Sequence, residues 1–186
     1  GATLARAVQA LPQSGQLQIA HARWLRGGGR LSEALEAAQR AVAAGDRQPQ
    51  WLVEVGDLLR ALGHTEQALP VLREALSLTP GSNAAKAALA QAYEEQGELA
   101  AAARLVDELP DSAPAAAHLS AGRILLKFAQ PGDLKAVQKA LAHITRAQDM
   151  QLRDPWLPYW LGRAHELSGE TASALDDYRL GLGAIP

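Results

Sequence analysis

The chain has no cysteine among its 186 residues, and it has only one methionine, one phenylalanine and three tyrosines. Without thiols, disulfide bonds, thiol catalysis and cysteine-ligated zinc are all excluded. The absence of cysteine suits a reducing cytosol or an oxidising periplasm, so it leaves the compartment open. No apolar run approaches the roughly 18 residues that a membrane-spanning helix needs, and no signal peptide is visible at the Gly-Ala start.

Patterns that carry catalysis are also missing. No serine lies in a nucleophile-elbow context, and no pair of carboxylates is tied to a predicted pocket. The glycines at 27–29 lack the Lys-Ser/Thr of a phosphate-binding loop, so we interpret them as a turn. His118 and His143 are predicted to face each other without a third ligand, which does not make a metal site. We therefore expect no enzyme activity, no cofactor and no bound metal.

Charge is balanced overall, with a formal net charge of −2. Residues 1–50 carry six arginines against three acids, residues 51–114 four basic against ten acidic side chains, and residues 115–186 eight against seven. A solvated outer face explains the acidic middle, and steering of a partner is the alternative. Basic residues are not interleaved with exposed aromatics, so nucleic-acid binding is not expected.

A spacing of 34 residues recurs along the chain. Several columns keep this interval: Ala22, Gly56 and Ala90; Leu25, Leu59 and Tyr93; Gly29, Gly63 and Gly97; Ala34, Ala68 and Ala102; and Pro12, Asp46, Pro80 and Pro114. Within each period, apolar residues recur at helical spacing, a glycine interrupts this pattern, and the helical spacing then resumes. This pattern predicts stacked helical hairpins, in which the small residues at 22, 56, 90, 122 and 162 let two helices approach closely.

The hairpins can be placed along residues 1–186 as one array. Residues 2–12 are predicted to be the second helix of a truncated repeat, and the full repeats are 15–46, 49–80, 83–112, 115–152 and 155–186. The fourth is irregular, because its turn around Pro131 and Gly132 is about six residues longer than the others. Its contact surfaces are predicted at Ala121, Gly122 and Leu125 of the first helix and at Ala140, Ile144 and Ala147 of the second. Leu175 and Leu182 are predicted to face outward from the last helix, and we expect the parent protein to continue beyond the ends of this sequence.

The period and its order of leucine–glycine, tyrosine, alanine and proline resemble the tetratricopeptide repeat (TPR). This resemblance covers nearly the whole chain and implies an all-α fold, a right-handed α-solenoid of antiparallel helix-turn-helix hairpins. The family's usual aromatic near the start of the first helix is largely absent, since Gln18, Leu52 and Lys86 occupy that column.

The resemblance also implies a concave groove, lined mainly by first helices, that binds a segment of another protein. The corresponding residues with functional side chains are Arg23, Arg26, Asp57, Arg60, Gln91, Glu94, Arg123, Lys127, Trp156, Tyr159, Arg163 and Glu166. The lysine–asparagine clamp of eukaryotic co-chaperones is not matched. Arg23, Asp57 and Gln91 stand where asparagines would be expected, so binding of a chaperone tail is not predicted.

Each candidate has a structural alternative. The cluster Trp156–Trp160 is either an anchor for a partner side chain or sugar ring, or packing between the fourth and fifth hairpins. The cations Arg23, Arg26, Arg123, Lys127 and Arg163 either grip acidic groups or form pairs such as Arg163 with Glu166.

We interpret the chain as a non-catalytic protein–protein interaction scaffold without membrane insertion. Its composition, rich in Ala, Leu, Arg and Gly, looks bacterial, and many bacterial relatives serve envelope assembly or exopolysaccharide export, which slightly favours the periplasm over the cytoplasm. Two alternatives remain open. One is a substrate-recruiting arm of a larger glycosyl- or sulfotransferase, and the other is self-association through the end helices.

Overall fold

The computed structural model describes residues 2–44, 47–130 and 132–184, and within these ranges the chain forms eleven helices and no strand. In chain order they are α1 (Ala2–Ala10), α2 (Gly15–Gly27), α3 (Leu31–Ala43), α4 (Pro49–Ala61), α5 (Thr65–Leu78), α6 (Asn83–Glu95), α7 (Leu99–Val106), α8 (Ala115–Phe128), α9 (Leu134–Asp149), α10 (Leu157–Ser168) and α11 (Thr171–Ala184). The predicted all-α fold is confirmed. Asp46, Pro131 and Pro186, which belong to the predicted pattern, lie outside the described residues.

Local sequence explains where several helices begin and end. Ser14 and Asp133 precede α2 and α9, and each side chain accepts a hydrogen bond from a backbone N–H of the first turn. Pro49 opens α4, where its missing N–H costs nothing. Gly63 and Gly169 follow first helices with φ of 79° and 81°, a conformation that strains any residue with a Cβ.

The helices divide into two compact units, residues Gly1–Ala92 and Tyr93–Pro186. In the first unit, α2 packs along α3 and α4 along α5, while α3 also packs against α4. In the second unit, α8 packs along α9 and α10 along α11, and α9 packs against α10. Both units therefore consist of antiparallel hairpins stacked on their neighbours in sequence.

The small residues of the repeat pattern lie where two helices of one hairpin meet, as predicted. A Cβ added at Gly56 would lie 2.5 Å from Leu72 Cγ, and one added at Gly162 would lie 2.6 Å from Tyr178 Cε1. At Gly122, an added Cβ would lie 2.9 Å from the carbonyl oxygen of Ala140. Each large side chain thus fills the space that its facing glycine leaves empty.

The fourth hairpin keeps the predicted core but not the predicted turn. Ala121, Leu125, Ala140, Ile144 and Ala147 are all buried, so the register of both helices is correct. The expectation of a turn about six residues longer is wrong. Helix α8 ends at Phe128 and α9 begins at Leu134, so five residues separate them, against three between α2 and α3 and three between α4 and α5; more of the extra length lies in α9, which has 16 residues where α3 has 13.

The helices fall inside the predicted repeat ranges, and Leu175 and Leu182 are exposed, as expected. That residues 1–186 form one array stays a prediction, because the helices form two compact units.

Candidate partner-binding site

In the first unit, two predicted arginines meet on one buried carboxylate. Arg23 Nε lies 3.3 Å from Glu54 Oε2, and Arg26 Nη1 lies 2.6 Å from Glu54 Oε1. The Glu54 side chain is 9% exposed, whereas about half of each arginine side chain faces solvent. The carboxylate therefore fixes two guanidinium groups, and the resulting group of three carries a net charge of +1 at the surface of α2 and α4.

Asp57 and Arg60 continue this face one turn further along α4, with Arg60 Nη1 donating to Asp57 Oδ1 at 3.1 Å. Burial raises the pKa of Asp57 from its usual range, and the Glu54 charge acts in the same direction against the opposing Arg60 charge. Gln91 lies on α6 in the first unit and is half-buried.

The second unit repeats the arrangement with different residues. Arg123 Nη2 lies 2.7 Å from Glu94 Oε2, and Lys127 Nζ lies 2.6 Å from Glu94 Oε1. The Glu94 side chain is only 7% exposed, so it cannot itself receive a ligand. Its role is to hold the two cations of α8, which again leaves a net charge of +1.

An aromatic cleft lies between α8 and α10. It encloses about 490 Å³, and its lining includes Leu119, Arg123, Trp156, Tyr159 and Trp160. Trp156 is 56% exposed and Tyr159 37%, and their rings meet edge to face at 6.1 Å between centroids. Lys127 Nζ lies 6.0 Å from the centroid of Trp160, in cation–π range. The cluster Trp156–Trp160 is therefore divided. Leu157 packs in the core, as does Leu161 just after the cluster, while Trp156 and Tyr159 face solvent.

Arg163 and Glu166 form an ion pair, which is the structural alternative to ligand binding that the sequence predicts for Arg163. Arg163 Nη1 donates to Glu166 Oε2 at 2.6 Å, and the Tyr178 hydroxyl donates to the same oxygen at 2.8 Å. The Tyr178 and Arg163 hydrogen bonds lower the pKa of Glu166. Burial, reinforced by the Glu166 contact, raises the pKa of Tyr178 to about 12.

The histidines that were predicted to face each other do so. His118 Nδ1 lies 2.9 Å from His143 Nδ1, and His118 Nε2 lies 3.3 Å from the carbonyl oxygen of Asp111. With both rings neutral, His118 Nε2–H donates to the carbonyl oxygen of Asp111, and His143 Nδ1–H then donates to His118 Nδ1. Burial, followed by the His118 charge, lowers the pKa of His143. The described part of the chain contains no group of three or more His, Asp or Glu side chains placed to hold a metal ion.

Sequence reasoning missed Glu54. Glu54 is one helical turn from Asp57, so spacing places it close to the predicted face. In the part of the chain that the structure describes, no helix has the length and apolar character to cross a bilayer.

These features define a class of protein: stacked helical hairpins whose first helices present paired charges and exposed aromatics. Residues 59–123 match the family model described as tetratricopeptide repeat. Together with the fold, this match supports a protein of the tetratricopeptide-repeat type, and such proteins in general bind other proteins.

Solved structures with the same fold come from several sources. The thermophilic TPR protein TTC0263 of Thermus thermophilus is 21% identical, with a TM-score of 0.70 over 93% of this chain and 92% of that one. MamA from Desulfovibrio magneticus is 16% identical, with a TM-score of 0.68 over 91% and 94%. In the APC/C hetero-tetramer Cut9–Hcn1, the TM-score is 0.79 at 15% identity, over 97% of this chain and 35% of that one. No curated protein sequence matches the chain.

Proposed function

We propose that this chain is a non-catalytic scaffold that binds a segment of a partner protein along its first helices. The observation that carries the proposal is the cleft between α8 and α10, where two exposed aromatic side chains stand beside the Arg123 guanidinium. Large exposed aromatics beside an arginine are typical of the residues that dominate protein-binding energy.

The cleft suits a partner segment because its walls are rigid. Trp156 and Tyr159 project from the start of α10, whose Leu157 and Leu161 are anchored in the core. The aromatic anchors thus need little ordering, and most of the entropic cost of binding falls on the ligand. A peptide apolar side chain fits a volume of about 490 Å³ with its backbone crossing the helices.

The cations Arg123 and Lys127 beside the cleft favour a ligand with an acidic group next to its apolar one, while Asp154, the acid of the lining, accepts a hydrogen bond from the Trp156 N–H. Glu94 holds Arg123 and Lys127 in place, and about a third to a half of each cation remains exposed. A carboxylate of the partner therefore meets cations that are already positioned. The Arg23, Arg26 and Glu54 group offers the same chemistry within the first unit, and we propose it as a separate binding feature of that unit.

The test is a pull-down from native lysate that compares the wild type with the variant Trp156→Ala, Tyr159→Ala. Both side chains are exposed, so the variant should keep its circular dichroism and urea midpoint. Met150→Ala removes another exposed apolar side chain, just after α9, and serves as the matched control. The proposal expects a protein retained by the wild type and the control and lost by the cleft variant. Equal capture by all three would refute this site.

Self-association is the second candidate, because Leu180 and Leu182 of α11 are exposed by 66% and 76%. Light scattering at rising concentration tests it, and a monomer throughout would remove it. A role in bacterial envelope assembly or exopolysaccharide export, and an arm of a larger transferase, are further proposals. Fractionation of the native cell and the reading frame around this sequence would decide them.

A further inference from the structure

A second surface of the Tyr93–Pro186 unit has features of a binding site, and it lies apart from the α8–α10 cleft. Helices α7 and α9 both pack against α8, and a gap between α7 and α9 is floored by Leu125. The gap encloses about 500 Å³, and an adjoining cleft of about 470 Å³ shares Ala100, Arg104 and Phe128 with it. We call this combined surface the α7–α9 groove.

The groove is apolar at its centre. Ala103 and Leu125 form its buried floor, Ala100 and Ala136 form its sides, and Phe128 projects into it while remaining 40% exposed. Phe128 is the only phenylalanine of the chain, and it is the last residue of α8, next to the turn where the repeat pattern is irregular. Exposed aromatic side chains beside an apolar gap are typical of a surface that contacts another molecule.

Charges at the rim indicate what would cover it. The basic side chains are Arg104, Lys127, Lys135 and Lys139, and the acidic ones are Glu98, Asp107 and Asp133. Lys139 is paired with Asp107 and Lys127 with Glu94, while Asp133 accepts a hydrogen bond from the Ala136 N–H as the N-cap of α9.

Two cations of the rim, Arg104 and Lys135, have no such partner, and among the acidic side chains Glu98, which lines the adjoining cleft and not the gap itself, also belongs to no ion pair among the described residues. Among the described residues, neither Arg104 nor Lys135 is part of an ion pair, and the Arg104 Nε–H donates only to the carbonyl oxygen of Ala100. Both side chains are exposed on opposite helices across the gap. A ligand that places carboxylates on the two sides of an apolar group complements this pattern.

We infer that the α7–α9 groove binds a partner-protein segment in which apolar side chains are flanked by aspartate or glutamate. The groove is open along its length, so a side chain can enter while the backbone of the segment stays outside. This surface involves none of the residues Trp156, Tyr159 or Arg123. It shares Lys127 with the charges beside the α8–α10 cleft, but its test changes only Arg104, Lys135 and Ala136, so the two proposals are tested separately.

The test uses two synthetic peptides with identical leucines, one with glutamates and one with lysines at the intervening positions. Fluorescence anisotropy at low salt should give tighter binding of the glutamate peptide by about tenfold or more, since two unpaired cations meet two carboxylates. The variant Arg104→Gln, Lys135→Gln should remove most of this preference. Ala136→Trp, which fills the gap, should abolish binding of both peptides.

The variant Trp156→Ala, Tyr159→Ala is the matched control and should bind the glutamate peptide as the wild type does. Equal affinity of the wild type for the two peptides would overturn the inference. So would a loss of glutamate-peptide binding in this control while the Arg104→Gln, Lys135→Gln variant keeps its preference for that peptide. Dimerisation of the wild type that the glutamine variant abolishes would also overturn it, because a second copy would then cover the groove. Failure here leaves the pull-down at the α8–α10 cleft unaffected, so the two proposals fail separately.

Discussion

The contact between Gly56 and Leu72 gives the sharpest prediction about what holds a hairpin together. Leu72 is fully buried, and a Cβ added at Gly56 would lie 2.5 Å from Leu72 Cγ. Overpacking costs about 1–3 kcal/mol, while replacing a helical glycine by alanine returns about 1 kcal/mol. We therefore expect Gly56→Ala to destabilise the fold by about 1 kcal/mol, and Leu72→Ala by about 2–5 kcal/mol from the cavity it leaves.

The double variant Gly56→Ala, Leu72→Ala tests whether the destabilisation by Gly56→Ala comes from the close contact with Leu72. With Leu72 removed, the alanine at 56 enters the cavity and keeps its helix propensity, so Gly56→Ala should now stabilise by about 1 kcal/mol. The coupling energy of the cycle is then about 2 kcal/mol, measured by urea unfolding followed by circular dichroism. Gly27→Ala is the control, because an added Cβ there has no atom within 4 Å. Additive effects of the two substitutions would refute the packing argument.

Three further predictions concern charged and titrating groups of the second unit. Glu94→Gln should lower the free energy of unfolding by about 1–2 kcal/mol, because two partly exposed cations lose a buried partner, and urea midpoints measure this. Because burial lowers the pKa of His143, the unfolded state binds more protons as pH falls, so stability should decrease below about pH 6.5. His143→Gln should flatten that decrease in a series of denaturation curves, and an unchanged slope would contradict the assignment. Tyr178 should titrate with a pKa of about 12, which ultraviolet absorbance measures. Glu166→Gln should lower this pKa, because it removes the carboxylate that accepts the Tyr178 hydrogen bond. An unchanged pKa in the variant would mean that this hydrogen bond is absent.

The core could be predicted from sequence because it depends on periodicity. Ala68, Gly122 and Ile144 were assigned to the hairpin contacts from spacing alone, and all three lie there. Helical geometry fixes which residues share a face, so a repeated spacing carries this information even through the irregular fourth hairpin. Periodicity does not say how a longer repeat distributes its extra residues, which is why the length of the turn was wrong.

The charge pattern was predicted only in outline. Arg23 and Arg26 were placed on one face, but their common partner Glu54 was not identified, since pairing across helices depends on the rotamers of long side chains. The groove beneath Phe128 had no sequence signal at all. It lies between α7, which ends after eight residues, and the first turns of α9, and periodicity predicts neither the short helix nor the gap beside it.

Site-specific photocrosslinking measures most directly whether a partner docks on the first helices. A benzophenone side chain at position 159 reports on the α8–α10 cleft, and one at the exposed position 142 on α9 reports on another face of the same unit. If a partner protein docks at the α8–α10 cleft, we expect it to crosslink to position 159 and not to position 142. The crosslink at position 159 should disappear in the Trp156→Ala variant. A crosslink from position 142 alone, with none at 159, would contradict this expectation.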